Sequence, residues 1–289
     1  MKKILFFAIL FTTLCACKTV PITGRKQMTF IPASTMNSLA ATSYQETLSS
    51  SKLSTNAQQT AMVKNVGERI RKAVEQYLSQ NKQSSIVNGF KWEFNLIASP
   101  TVNAWCMPGG KVAFYEGIMP VCQNEVGVAV VMGHEIAHAI AGHGGERMSQ
   151  GLLVQLGGLT LAAALSEKPE LTQSLALAAF GIGTTVFAIL PYSRLHESEA
   201  DKLGLIFMAM AGYDPNEAPK FWERMRALSG NKSSSDFLST HPSDTKRIRD
   251  LKAAMPEALK YYKKTQPTQQ SSGNSGKNSG KTKGQRPTF

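Results

Sequence analysis

The chain has 289 residues, room for one large domain or two small ones, and its 42% apolar content supports a real core. Its formal net charge is +12, but twelve of the 32 basic residues lie in 1–26 and 260–289, where there is no acid; the rest balances 20 bases against 20 acids. An enzyme of nucleic acids usually carries its basic surface on the folded domain, so this distribution argues against nucleic acid as substrate, while the basic tail can still touch anionic lipid or another polyanion.

Met1-Lys2-Lys3 and the apolar run Ile4 to Leu14 read as an export signal, too short to span a bilayer. The run ends in Leu14-Cys15-Ala16-Cys17, which resembles a bacterial lipobox, with Cys15 departing from the commoner Ser, Ala or Thr. The resemblance implies a signal peptide over 1–16 and acylation of Cys17, hence a membrane tether through the lipid. Lys18 after the cysteine implies, by the same resemblance, the outer membrane of a bacterial envelope facing the periplasm. Residues 17–56 are then a lipidated N-terminal segment and linker. Cys106 and Cys122 remain, either as a disulfide or as two buried thiols.

Residues 57–80 carry the periodicity of an amphipathic helix, and Phe90 to Leu96 alternate as a half-buried strand does. Pro108-Gly109-Gly110 is a turn, and Lys111 to Tyr115 a second strand. Asn124 caps a helix from Glu125 to about His143, ended by Gly144-Gly145. The apolar stretches 151–165 and 171–190 predict two helices buried in or over the domain; a transmembrane hairpin is the rival reading. Further helices are expected from Arg194 to Met210, from Asn216 to Leu228 and from Ser243. Residues 57–255 make the domain, and 256–289 a basic, low-complexity, disordered tail. The fold class is mainly α with a small β-sheet (α+β).

The chemistry centres on His134-Glu135-Ile136-Ala137-His138. Histidines four apart share a helix face, so both imidazoles can meet one Zn2+ ion, with Glu135 beside them to take a proton from water. A catalytic zinc wants a third protein ligand and an open position. Ala141 and Gly144 exclude a third histidine in the register His-x-x-Gly-x-x-His. His143 is one residue off that register and reads as a surface or supporting histidine. Glu197 is the best third ligand, with Asp201 four residues on to accept the free ring N–H of a ligand histidine. Glu199 faces away from both, and His196 points about 100° round the helix.

TVPITGRKQ, NAWCMPGGKVAFYEGI, VVMGHEIAHAIAGH, LPYSRLHESEADKLGL and FLSTHPSDTKRI together resemble the M48-type metallopeptidases across about 17–255. The resemblance implies a zincin-like domain with one zinc held by His134, His138 and Glu197. It gives Asn103-Ala104 and Gly109-Gly110 a place beside the active-site helix, leading into an edge strand that can hold an extended peptide. It also puts His241, stiffened by Pro242, near the zinc. There His241 either fills the open position as a latch or stabilises the oxyanion. The expected activity is endoproteolysis with Glu135 as base, acting on exported or envelope polypeptides in quality control, misfolded outer-membrane proteins among them. The alternative is a zinc-binding envelope assembly factor, chaperone-like, with little proteolysis.

Overall fold

The computed structural model describes residues 17–21, 23–183, 190–229, 236–241 and 245–265. The signal peptide expected over 1–16 and the tail beyond 265 lie outside the described residues, as does the side chain of Cys17.

The described residues begin with a pair of strands, β1 (Cys17–Thr19) antiparallel to β2 (Lys26–Met28), the β1–β2 hairpin. Helix α1 (Ala33–Ser50) follows, then α2 (Ala57–Gln80), whose Asn56 cap accepts from Gln59 N. Residues 17–56 are therefore not a linker. Tyr44 of α1 is fully buried on the sheet and donates its hydroxyl to Val112 O at 3.0 Å.

Strands β3 (Glu93–Ile97), β4 (Ala104–Met107) and β5 (Lys111–Tyr115) form one sheet in the order β3-β5-β4. Central β5 runs parallel to β3 and antiparallel to β4, so β4 is an outer strand. The tight β4–β5 turn needs Gly109 and Gly110 at φ +83° and +79°, and a Cβ on Gly110 would strike the Trp92 ring.

After the short α3 (Met119–Cys122), Asn124 caps α4 (Glu125–Ala141), accepting from Val126 N and Gly127 N. All of α4 from Gly127 to Ala137 is buried. The helix ends two residues earlier than expected, because Gly142 turns the backbone left-handed at φ +73° and α5 (His143–Ala164) starts immediately. The pair α5 and α6 (Glu170–Gly183) packs on itself, with the Phe180 ring against Gly157. Two helices were expected here, but not their exposure: Leu156, Leu159, Leu171 and Leu175 stand 60–70% open. Among the described residues no helix is long and apolar enough to cross a membrane.

Helix α7 (Leu190–Met210) crosses α4 at closest approach through Gly133 and Gly204. A Cβ on Gly133 would lie 2.8 Å from Gly204 O, and one on Gly204 would lie 2.9 Å from His134 N. Backbone touches backbone there, which brings side chains flanking the crossing within reach of one ion. α8 (Glu217–Ser229), the short α9 (Asp236–Thr240) and α10 (Thr245–Thr265) complete the core. The boundary expected at 255 is crossed by α10: Met255 and Ala258 are buried, and Tyr261 lies 6.0 Å from Tyr77 of α2, so the helix continues through Pro256. Cys106 and Cys122 are free thiols, that of Cys122 pushed up to about 12 by burial.

Candidate metal centre

His134 and His138 come from the buried face of α4, Glu197 from α7 and His241 from the end of α9. Their donor atoms converge. His134 Nε2 lies 3.1 Å from His138 Nε2, 3.3 Å from Glu197 Oε2 and 3.2 Å from His241 Nδ1. His138 Nε2 is 3.2 Å from Glu197 Oε1, and His241 Nδ1 is 3.0 Å from both Glu197 oxygens. Three imidazole nitrogens crowd one carboxylate and one another, an arrangement that a single cation between them satisfies. Donors about 2.0–2.1 Å from a tetrahedral zinc stand about 3.3 Å from each other, close to the separations just given. Among the described residues this is the one cluster of ligating side chains able to hold a metal ion.

The surroundings fix the ligands. Asp201, one turn beyond Glu197 on α7, has Oδ1 3.0 Å from His134 Nδ1. It is gripped by Arg247 of α10, whose Nε and Nη2 donate to its two oxygens at 2.8 and 2.7 Å. Arg247 Nη1 is also 3.1 Å from Glu197 Oε2, and its guanidinium lies 3.4 Å over the Trp222 ring. Burial opposes a charge on His134, but the partners Asp201 and Glu197 hold its pKa up at about 9. Burial alone would raise Glu197, yet the imidazoles of His134, His138 and His241 drive it far below the ordinary carboxylate range. Burial dominates for His138 and holds its pKa well below the ordinary imidazole value.

Glu135 does not join the cluster. It is buried, Oε1 accepts no hydrogen bond, and His241 Nε2 stands 3.5 Å from that oxygen. Burial raises its pKa. An unsatisfied carboxylate oxygen beside the ligands suits a group that receives a proton during reaction.

Sequence reasoning missed two parts of this site. Arg247 sits within the quoted FLSTHPSDTKRI, but nothing in the spacing tells that α10 lays its first turn over α7. The other part is the buried polar cluster behind His138, for which the sequence offers only His143, as a surface or supporting histidine; it is buried. His143 lies on the His138 ring, Nδ1 to Nδ1 2.9 Å, and stacks on His196 with centroids 4.2 Å apart. His196 and Glu199, which face away from the metal, pair with Glu146 and Arg25 instead. Asn103 contributes its carbonyl to Tyr115 N and its side-chain oxygen to Ala104 N. Gly109 and Gly110 give their carbonyls to Lys91 N and Glu93 N, so they shape the turn, and Ala104–Met107 is the open edge.

Residues 64–255 match the model of peptidase family M48. The chain belongs to this family. Its cofactor is zinc, which the donor set fits. It is 42% identical over 173 residues to the mitochondrial metalloendopeptidase OMA1 of Schizosaccharomyces pombe, covering 60% of this chain and 49% of that one. It is 30% identical over 264 residues to the human mitochondrial metalloendopeptidase OMA1, covering 89% and 49%. To the beta-barrel assembly-enhancing protease of Escherichia coli it is 26% identical over 166 residues, covering 56% and 34%. The chain thus spans about half the length, or less, of the curated relatives it matches. These relatives correct the expected location: the matches at 36–42% identity are mitochondrial enzymes by name, not outer-membrane lipoproteins of bacteria.

Proposed function

We propose that the chain is a zinc-dependent endopeptidase. The observation that carries this reading is the four-donor cluster with the unsatisfied Glu135 oxygen beside it. His134, His138 and Glu197 hold the metal, which when bound supplies a Lewis acid to the scissile carbonyl and makes water a better nucleophile. Glu135 takes the proton from water and hands it to the leaving amine; its raised pKa suits both steps. The substrate is an extended polypeptide that adds as a strand to the open edge of β4, which packs beside α4. Replacing Glu135 with Gln keeps the shape and removes the base. Glu135→Gln should bind zinc normally and cleave an unfolded protein about 10²–10⁴ times more slowly. Cleavage near the wild-type rate by the zinc-loaded variant would sink the reading.

Of the two roles open to His241, its geometry favours the latch. Nδ1 stands where a fourth donor to the metal stands, within 3.0–3.2 Å of Glu197 and His134. On this reading His241→Ala raises basal cleavage. A fall in kcat with zinc retained would assign the oxyanion role instead.

A further inference from the structure

The two ligand histidines of α4 are braced differently. His134 turns Nδ1 to a carboxylate directly, Asp201, which Arg247 grips with two nitrogens. His138 has no carboxylate at Nδ1; there it meets the His143 ring at 2.9 Å. The carboxylate comes one step later: His143 Nε2 lies 3.3 Å from Glu199 Oε2. Glu199 in turn accepts from Arg25 Nε at 2.7 Å and from the Thr23 hydroxyl at 2.5 Å. Arg25 gives its remaining nitrogens to both oxygens of Glu146, at 2.9 and 2.7 Å. Each ligand imidazole thus ends on a carboxylate held by an arginine, and for His138 the line passes through a second imidazole.

The protons on this line have one consistent arrangement. An imidazole that offers Nε2 to the metal keeps its proton on Nδ1, so His138 Nδ1–H donates to His143 Nδ1. With its Nδ1 accepting from His138, the buried His143 ring presents Nε2–H to Glu199 Oε2, 3.3 Å away. The left-handed turn at Gly142 makes the contact possible. In an unbroken helix a residue five further on lies about 140° round from His138; the break swings His143 back over it.

We infer that His143 is a positioning residue for the metal ligand His138, oriented by Glu199, and that the β1–β2 hairpin completes the metal centre by anchoring Glu199 through Thr23 and Arg25. The hairpin lies outside the 64–255 segment that matches the family, so that segment alone lacks the anchor. The inference rests on the zinc reading above.

The test is a zinc titration of the full chain against a competing chelator, with the thermal melt of the metal-free protein recorded alongside. His143→Leu should weaken zinc about 10–100-fold while the metal-free melt stays near wild type. His143→Asn, whose Oδ1 can accept at the position of Nδ1, should recover most of that loss. Arg25→Met should weaken zinc by a smaller factor. Nitrogen NMR of the zinc-loaded wild type should show coupling across the hydrogen bond between the Nδ1 atoms of His138 and His143, a readout that needs no variant to fold. The positioning role is overturned if His143→Leu binds zinc like the wild type, if Asn is no better than Leu, or if the wild type shows no such coupling. Unchanged zinc affinity in Arg25→Met removes the hairpin from the centre. A wild type that fails to bind zinc strikes the zinc reading instead.

Discussion

Two pairs of apolar helices in this molecule meet opposite fates. α4 and α7 cross in the core, where Gly133 and Gly204 bring backbone onto backbone and nearly every α4 side chain is buried. α5 and α6 also meet at a glycine, yet Gly157 touches only the far end of the Phe180 ring, and most of their leucines face outward. Apolar content alone does not decide burial. What separates the pairs is how many other elements cover them: α4 is packed by α2, α7, α8 and β4, whereas α6 leans on α5.

The largest effect should come from the ligand that links the core pair. Glu197→Ala should abolish most zinc binding, and Asp201→Ala should weaken it about 10–100-fold; metal analysis after dialysis measures both. Full zinc in Glu197→Ala would dismiss it as a ligand. Next is the crossing itself. Gly204→Ala forces a Cβ onto the His134 backbone and should cost about 1–3 kcal/mol, with zinc affinity falling because the ligands are pushed apart. A metal-free melt matching wild type would show that the crossing relaxes.

Smaller still is an acid effect at Glu146, beside the core pair. Burial would raise its carboxyl, but Arg25 and His196 hold it down at about 2. A depressed folded pKa means that the unfolded chain binds the proton first, so the stabilisation is present above about pH 4.5 and lost as pH falls towards 2. Glu146→Gln should lower the melting temperature near neutral pH and flatten its decline over that window, followed by thermal melts in metal-free buffer. An equally steep decline would move the acid sensitivity to other groups.

The smallest effects belong to the outer pair. Gly158→Ala meets nothing nearer than 3.7 Å and should leave stability unchanged or raise it by about 0.5–1 kcal/mol. Leu159→Gln, at a side chain 62% exposed, should stay within about 0.5 kcal/mol of wild type. A large loss in either variant would reveal a covering partner.

The side chains that converge in the candidate metal cluster were legible because helical geometry is local. The spacing of four between His134 and His138, and between Glu197 and Asp201, puts each pair on one face whatever surrounds it. The Asn124 cap and the strand at Lys111 to Tyr115 were legible for the same reason. The helix end at Gly142 was missed because Gly144-Gly145 gave an equally good stop signal a few residues later. That error left His143 open as a surface or supporting histidine; the break turns its buried ring onto His138, from which an unbroken α4 would carry it away.

The sequence by itself determined the family of chemistry: which side chains could share a metal and which one could serve as base. Only the tertiary structure decided what holds those side chains still. Arg247 reaches Asp201 from α10, and Arg25 reaches Glu199 from 174 residues away, contacts that no periodicity encodes. It also decided that α1 packs on the sheet, that α10 outruns its expected end and that α5 and α6 stay exposed. Periodicity reports which face of an element is apolar; what covers that face depends on elements distant in the chain.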